Sequence, residues 1–136
     1  MKKTIILSGI LMGLLFVFQQ CNVSTANIAD VKMCESTENT QCAEDNPVFS
    51  TNTPAIYVSC ILKNAPEGTK VNFAWYYISE EKVFIDEVSL ESQTTTSPMQ
   101  SYLSMPDAGW PTGNYEVVLS LDTDNSTPIT KNFSVQ

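Results

Sequence analysis

Paired carboxylates are the residues of this chain that could support acid and base catalysis. They occur as the adjacent pairs Glu44-Asp45, Glu80-Glu81 and Asp86-Glu87. Neighbouring side chains on a strand point to opposite faces, so Asp86 and Glu87 are poorly placed to act on one substrate. The chain has no histidine, which excludes Ser-His and Cys-His nucleophilic sites. We therefore interpret the carboxylates as solvated charges on turns and edges, and predict a protein that is not an enzyme and has no cofactor.

A metal site has little support in the sequence. The segment 122–125, Asp-Thr-Asp-Asn, resembles the start of a calcium loop, but it lacks the glycine and the distal glutamate that complete one. The four cysteines have no Cys-x-x-Cys spacing, and histidine ligands are absent. We expect a hairpin turn at 122–125 and no metal.

The amino terminus has the composition of an export signal. Three residues, Met-Lys-Lys, precede an apolar stretch over 5–18, which is shorter than the roughly 20 residues that a membrane-spanning helix needs. The small residues Ser24 and Ala26 would let a general signal peptidase cut before Asn27. Residues 1–26 are therefore assigned to targeting, and residues 27–136 to the folded domain.

Cys21 offers a second way to process the signal. It follows the apolar stretch closely, and its position resembles that of the lipidated cysteine of bacterial lipoproteins, although Gln20 stands where those signals prefer a small residue. Lipidation at Cys21 would tether the domain to a membrane through the polar segment 22–27. Both cleavage sites remain open, and the lipoprotein signal is the favoured one.

Two further cysteines are candidates for a disulfide bond. Cys34 and Cys42 lie eight positions apart in a polar segment, and an exported protein meets an oxidising environment. A bridge across so small a loop would stabilise the fold by about 2 to 3 kcal/mol. Cys60 is then the odd cysteine, and we expect it to be buried and unreactive.

The charge of residues 27–136 argues against one class of partner. Residues 27–136 contain fifteen carboxylates, five lysines and no arginine, a formal net charge of −10. Nucleic-acid binding depends on lysine and arginine side chains that neutralise phosphates. We therefore predict no nucleic-acid partner.

Alternating apolar and polar residues predict strands throughout the domain. Turn signals recur every 8 to 12 residues, and no helical periodicity follows residue 18, a pattern typical of an antiparallel all-β sandwich of about seven strands. The predicted strands are 29–34, 56–63, 71–78, 83–90, 99–105, 115–122 and 129–135. The strand 83–90 has a mixed pattern and could be an edge strand that pairs with another chain. The charged residues 80–82 beside it are of the kind that discourages such pairing.

Three residues at the core of this pattern resemble those of immunoglobulin-like domains. Cys60 and Trp75 lie on successive strands, and Tyr115 begins a later strand just after a Gly- and Pro-rich corner. The resemblance implies a buried Trp75 and a tyrosine whose hydroxyl bonds back to the corner. Val117 stands where antibody domains have their second cysteine, so the bridge between sheets is absent. The chain looks like the immunoglobulin-like modules of bacterial exported proteins.

Aromatic rings are the remaining candidates for contact with a ligand. Tyr57 and Tyr76 lie on outward faces of predicted strands that could be neighbours, where they could form a cross-strand pair. Trp110 lies in a Gly-Trp-Pro turn, and could cap the core or stand free. Capping is favoured, because an exposed ring forfeits about 2 kcal/mol of burial.

Two functions are compatible with these features. The favoured one is a noncatalytic binding or interaction module of the cell envelope, attached to a membrane through a lipid anchor, with a protein or glycan partner. The alternative is a secreted carbohydrate-interacting accessory domain. It would be recognised by exposed, coplanar rings of Tyr57, Tyr76 and Trp110.

Overall fold

The computed structural model describes residues 25–123 and 126–136. The proposed signal segment and Cys21 lie outside the described residues, as does part of the turn at 122–125. Within them the chain forms strands and no helix. The strands are β1 (Asn27–Cys34), β2 (Val48–Phe49), β3 (Ala55–Lys63), β4 (Lys70–Ile78), β5 (Lys82–Glu91), β6 (Ser97–Ser104), β7 (Gly113–Leu121) and β8 (Ile129–Val135).

These strands form two sheets that share one core. The smaller sheet has the order β1-β3-β6, and the larger has the order β2-β8-β7-β4-β5. One cluster of buried apolar side chains draws residues from both sheets. The indole N–H of Trp75 on β4 crosses this core and donates to Ser101 Oγ on β6 at 3.2 Å. The chain is thus an all-β, sandwich-like domain, as the alternating pattern predicted.

The strands with the clearest alternation supply most of the core. On β3 the side chains of Ile56, Val58, Cys60 and Leu62 are fully buried, in agreement with the predicted inward face. Trp75 on β4 and Val117 on β7 are opposite each other in the register, and both are buried. The sequence prediction for these core positions is confirmed.

The corner before β7 has the tyrosine arrangement that the sequence indicated. The Tyr115 ring is buried and stacks on Phe133 of β8, with 5.1 Å between ring centroids. Its hydroxyl donates to the Pro111 carbonyl at 2.5 Å. Gly113 has a φ of +138°, which L side chains rarely adopt, and a Cβ there would lie only 3.0 Å from the Tyr77 hydroxyl oxygen. The corner therefore needs glycine here and fixes the start of β7.

The segment before β3 differs most from expectation. The structure has eight strands rather than about seven, because Val48 and Phe49 form the short β2, which pairs with β8 in parallel. A strand of two residues is too short to show a periodicity, so β2 could not be predicted from the sequence. It places Phe49 against Phe133, with 5.9 Å between the ring centroids, and so closes one end of the core.

β5 is the edge strand that its mixed pattern suggested. It pairs only with β4 among the described strands and has a register shift between its partners Trp75 and Tyr76. Nine of its ten residues are exposed and Leu90 is half-buried. The larger sheet therefore extends beyond the smaller one at β5, which leaves both faces of this strand in contact with solvent.

Candidate functional site

The paired carboxylates do not converge in the structure. Asp45 bonds to Lys131 and to the Met33 amide, whereas Asp86 and Glu87 lie on the distant β5. Partial burial raises the pKa of Asp45, but the hydrogen bonds from Lys131 and Met33 and the charges of Lys131 and Lys32 outweigh it, so the pKa lies below its ordinary value. Asp45 thus belongs to a structural contact between the segment after Cys42 and β8.

Three of the cysteines lie among the described residues. Cys34 and Cys42 form the expected disulfide bond. Cys60 is free and fully buried, and its burial raises the pKa of the thiol to about 12. It is therefore protonated and shielded at neutral pH, which makes it a core residue. No group of three or more possible metal ligands occurs in residues 25–123 and 126–136.

Trp110 is not available as a ligand-contact ring. Its side chain is 5% exposed, and its indole N–H donates to the Thr53 carbonyl at 2.7 Å. The ring also meets Tyr115 edge-on, with 6.4 Å between centroids. Trp110 caps the core, the position that the sequence favoured. Its ring is too buried to contact a ligand at the surface.

Tyr57 and Tyr76 are not neighbours, because β3 and β4 belong to different sheets. Tyr57 pairs across strands with Tyr102 on β6, with 5.1 Å between ring centroids. Tyr76 pairs with Phe84 on β5 at 5.9 Å, and the Lys82 ammonium lies 4.2 Å from the Tyr76 ring centre. Each tyrosine has an aromatic cross-strand partner, but the two pairs lie on opposite sheets. The three chosen rings therefore share no surface.

The most unusual surface of the described chain is the apolar part of β5. Val83, Phe84, Ile85 and Val88 are all exposed, and Phe84 is 57% exposed. Large apolar side chains exposed next to one another are a mark of interaction sites when they form a contiguous group. We call residues 83–90 the β5 edge. The sequence pattern located this strand, but its lack of cover could only be seen once the smaller sheet was placed.

The β5 edge also borders an open side of the sandwich. A cleft of about 280 Å³ lies between the two sheets at this side, with Asp86, Val88 and Leu90 on one wall and Gln100 and Tyr102 of β6 on the other. A second cleft of about 530 Å³ continues it past Leu90 toward Met99. Both β5 and β6 end their sheets here, so the side between them is lined by two strand edges.

Comparison with known proteins supports the fold alone. No protein-family model matches the chain, and no curated protein matches it. Among solved structures it is similar to the Pseudomonas fluorescens alkylpurine DNA glycosylase AlkC, bound to DNA containing an abasic site analog, with a TM-score of 0.50 and 13% identity. The match covers 82% of this chain and 30% of that one. The described residues form strands alone, so they contain no helical membrane span. What these comparisons establish is a β domain similar to one part of a larger protein.

Proposed function

We propose that the chain is a noncatalytic interaction module of the cell envelope, built on an immunoglobulin-like sandwich. The β5 edge carries this proposal, because four large apolar side chains stand exposed on a strand whose outer side no described strand covers. Such surfaces cost solubility unless a partner covers them. The tyrosine corner, the buried Trp75 and the crossing from β3 to β4 between sheets support the immunoglobulin-like type.

The envelope location rests on the export signal. A basic start and a short apolar stretch precede the domain, and the disulfide bond between Cys34 and Cys42 suits an oxidising compartment. We propose a lipid anchor at Cys21, with residues 22–27 as the tether.

The alternative, a secreted carbohydrate-interacting accessory domain, keeps one supporting observation. The Tyr57 and Tyr102 rings are inclined by 30° to each other, and Tyr102 is 53% exposed. Two rings on one face, tilted by this angle, could receive a sugar ring. The pair lies on the smaller sheet, and Tyr102 also borders the cleft beside the β5 edge, so each function needs its own probe.

Nucleic acid stays outside the proposed partners. The DNA in the similar AlkC structure is bound by that protein, and the likeness reaches only 13% identity. A net charge of −10 over residues 27–136 would repel a phosphate backbone.

Photo-crosslinking in the native host tests the proposal. We expect a benzoylphenylalanine at position 84 to give a discrete protein adduct in the membrane fraction, because Phe84 is the most exposed large apolar side chain of the β5 edge. The same residue at position 48 is the control, since Val48 is also exposed but lies on β2, at the opposite edge of the larger sheet. The intact mass of the chain, measured in the membrane and soluble fractions, shows where the signal is cleaved and whether Cys21 carries lipid.

The outcomes separate the two functions. A mass that begins at Cys21 with diacylglycerol and acyl groups supports the tethered module. A mass that begins at Asn27 in the soluble fraction, with no adduct at position 84, contradicts it. If a sugar slows chemical modification of the Tyr102 side chain, the result would then favour the carbohydrate-interacting domain.

A further inference from the structure

We infer that the β5 edge binds its partner by strand addition, and that the added strand is an extended segment with an apolar face and a basic face. The inference rests on the proposed function and names the partner's chemistry and its mode of binding. Three features of the described residues carry it: the free backbone of β5, the different character of its two faces, and its uncompensated charge.

The backbone of the β5 edge has at least one donor that no strand uses. The Glu87 amide donates to the carboxylate of its neighbour Asp86 at 2.8 Å, and no described strand lies on that side of β5. A local carboxylate therefore occupies the place where an adjacent strand would present a carbonyl. An incoming strand could replace it and add main-chain hydrogen bonds to the sheet.

On the C-terminal side of the register shift, over residues 86–90, the two faces of the β5 edge differ in character. Val88 and Leu90 pair with the inward-facing Phe73 and Val71, so they point toward the open cleft between the sheets. Asp86 pairs with the inward-facing Trp75 and also lines this cleft. Glu87 and Ser89 pair with Ala74 and Asn72 and point to the outer face. An added strand that matches this alternation would cover the cleft with apolar side chains and present polar ones on the outer face.

The carboxylates of the β5 edge predict which polar side chains the added strand carries. The lysines nearest to the β5 edge are already engaged: Lys82 pairs with Glu116 and Lys70 with Glu91. In the described part of the chain, neither Asp86 nor Glu87 is among the ion-paired carboxylates. Lysine or arginine side chains on the outer face of the added strand would compensate Glu87, and one beside the cleft would compensate Asp86.

The same charges oppose a second copy of this chain as the occupant. In an antiparallel pair related by a two-fold axis, each residue at the axis faces its own copy, so an axis at Asp86 or Glu87 would place like carboxylates opposite each other. Like charges opposite each other destabilise a sheet. The net charge of −10 over residues 27–136 adds a repulsion between copies. A basic partner strand is therefore the better fit.

A synthetic peptide tests the inference directly. The probe is a fluorescein-labelled ten-residue peptide that alternates valine and lysine, titrated with the full-length chain by fluorescence anisotropy at low salt. We expect saturable binding, and an affinity at least about tenfold lower for the same peptide with N-methyl groups on alternate backbone nitrogens, because these keep every side chain and remove the main-chain donors. A peptide with glutamate in place of lysine should not bind.

Two variants at one position separate backbone from charge. Glu87→Pro removes the free amide, and we expect it to lower the affinity at least about tenfold at every salt concentration. Glu87→Gln keeps the amide and removes the carboxylate, and should lower the affinity only about threefold and mainly at low salt. Urea unfolding of both variants checks that the fold is kept, and the N-methylated peptide needs only the unaltered chain.

Equal binding of the N-methylated peptide, or an unchanged affinity in Glu87→Pro, would overturn strand addition and leave simple charge attraction. Absence of binding by the valine-lysine peptide would overturn the inference as well. If position 84 still crosslinks to a protein in the host, the proposed function survives that failure. If the peptide binds but position 84 gives no adduct in the host, the proposed function fails while the binding mode stands.

Discussion

Replacing Trp75 with alanine is expected to lower the free energy of unfolding by about 3 to 5 kcal/mol, the usual cost of removing a large buried ring. Trp75 is 1% exposed, and its ring meets the Phe133 ring edge-on with 5.9 Å between centroids. Its indole N–H donates across the core to Ser101 Oγ. The substitution leaves a cavity between the sheets and an unpaired Ser101 hydroxyl. Because the total free energy of unfolding of a small domain is about 5 to 15 kcal/mol, much of the stability would be lost.

Phe84→Ala is the matched control for Trp75→Ala. It removes another large ring, but one that is 57% exposed, so the cost in urea unfolding should stay below about 1 kcal/mol. Equal losses in the two variants would contradict the assignment of Trp75 to the core and of Phe84 to an interaction surface.

Loss of the disulfide bond should have the second largest effect. We expect the double variant Cys34→Ala with Cys42→Ala to lose about 2 to 3 kcal/mol of unfolding free energy, since the open chain regains the entropy of a short loop. The loop is held in place by local contacts, including a hydrogen bond from the Cys42 amide to Ser59 Oγ. These contacts would have to form in a less restricted chain.

Sensitivity to a reducing agent provides the control for that variant. The unaltered chain and Cys60→Ala should both be destabilised by reduction, because both keep the bridge, whereas the double variant should not respond. A reductant that leaves the urea midpoint of the unaltered chain unchanged would contradict a stabilising bridge.

The central strands could be predicted from the sequence because their periodicity is local. The face of β3 that contains Cys60, the inward position of Trp75 and the corner at Tyr115 all follow from residue types within ten positions of each other. The bond between Cys34 and Cys42 was predictable for the same reason. The contact that the Tyr115 hydroxyl makes with Pro111 spans only four positions.

The arrangement of the sheets could not be read in this way. Tyr57 and Tyr76 lie on consecutive long strands, but the chain crosses from one sheet to the other between them, and alternation does not record such a crossing. The parallel pairing of β2 with β8 joins residues about 86 positions apart, a long-range contact with no local signal. For the same reason the exposure of the β5 edge depends on where the smaller sheet ends, which no residue within β5 determines.

Backbone amide hydrogen exchange on the full-length chain, measured by NMR, tests the open edge of β5 most directly. The Glu87 amide should exchange faster than the amides of Trp75 and Val117 by roughly three orders of magnitude or more, since local opening ranges from almost no cost at exposed sites to the global free energy in core strands. Trp75 and Val117 lie on β4 and β7, which have a strand on each side. Protection of the Glu87 amide equal to theirs would show that the β5 edge is already covered, and would contradict its role as a binding surface.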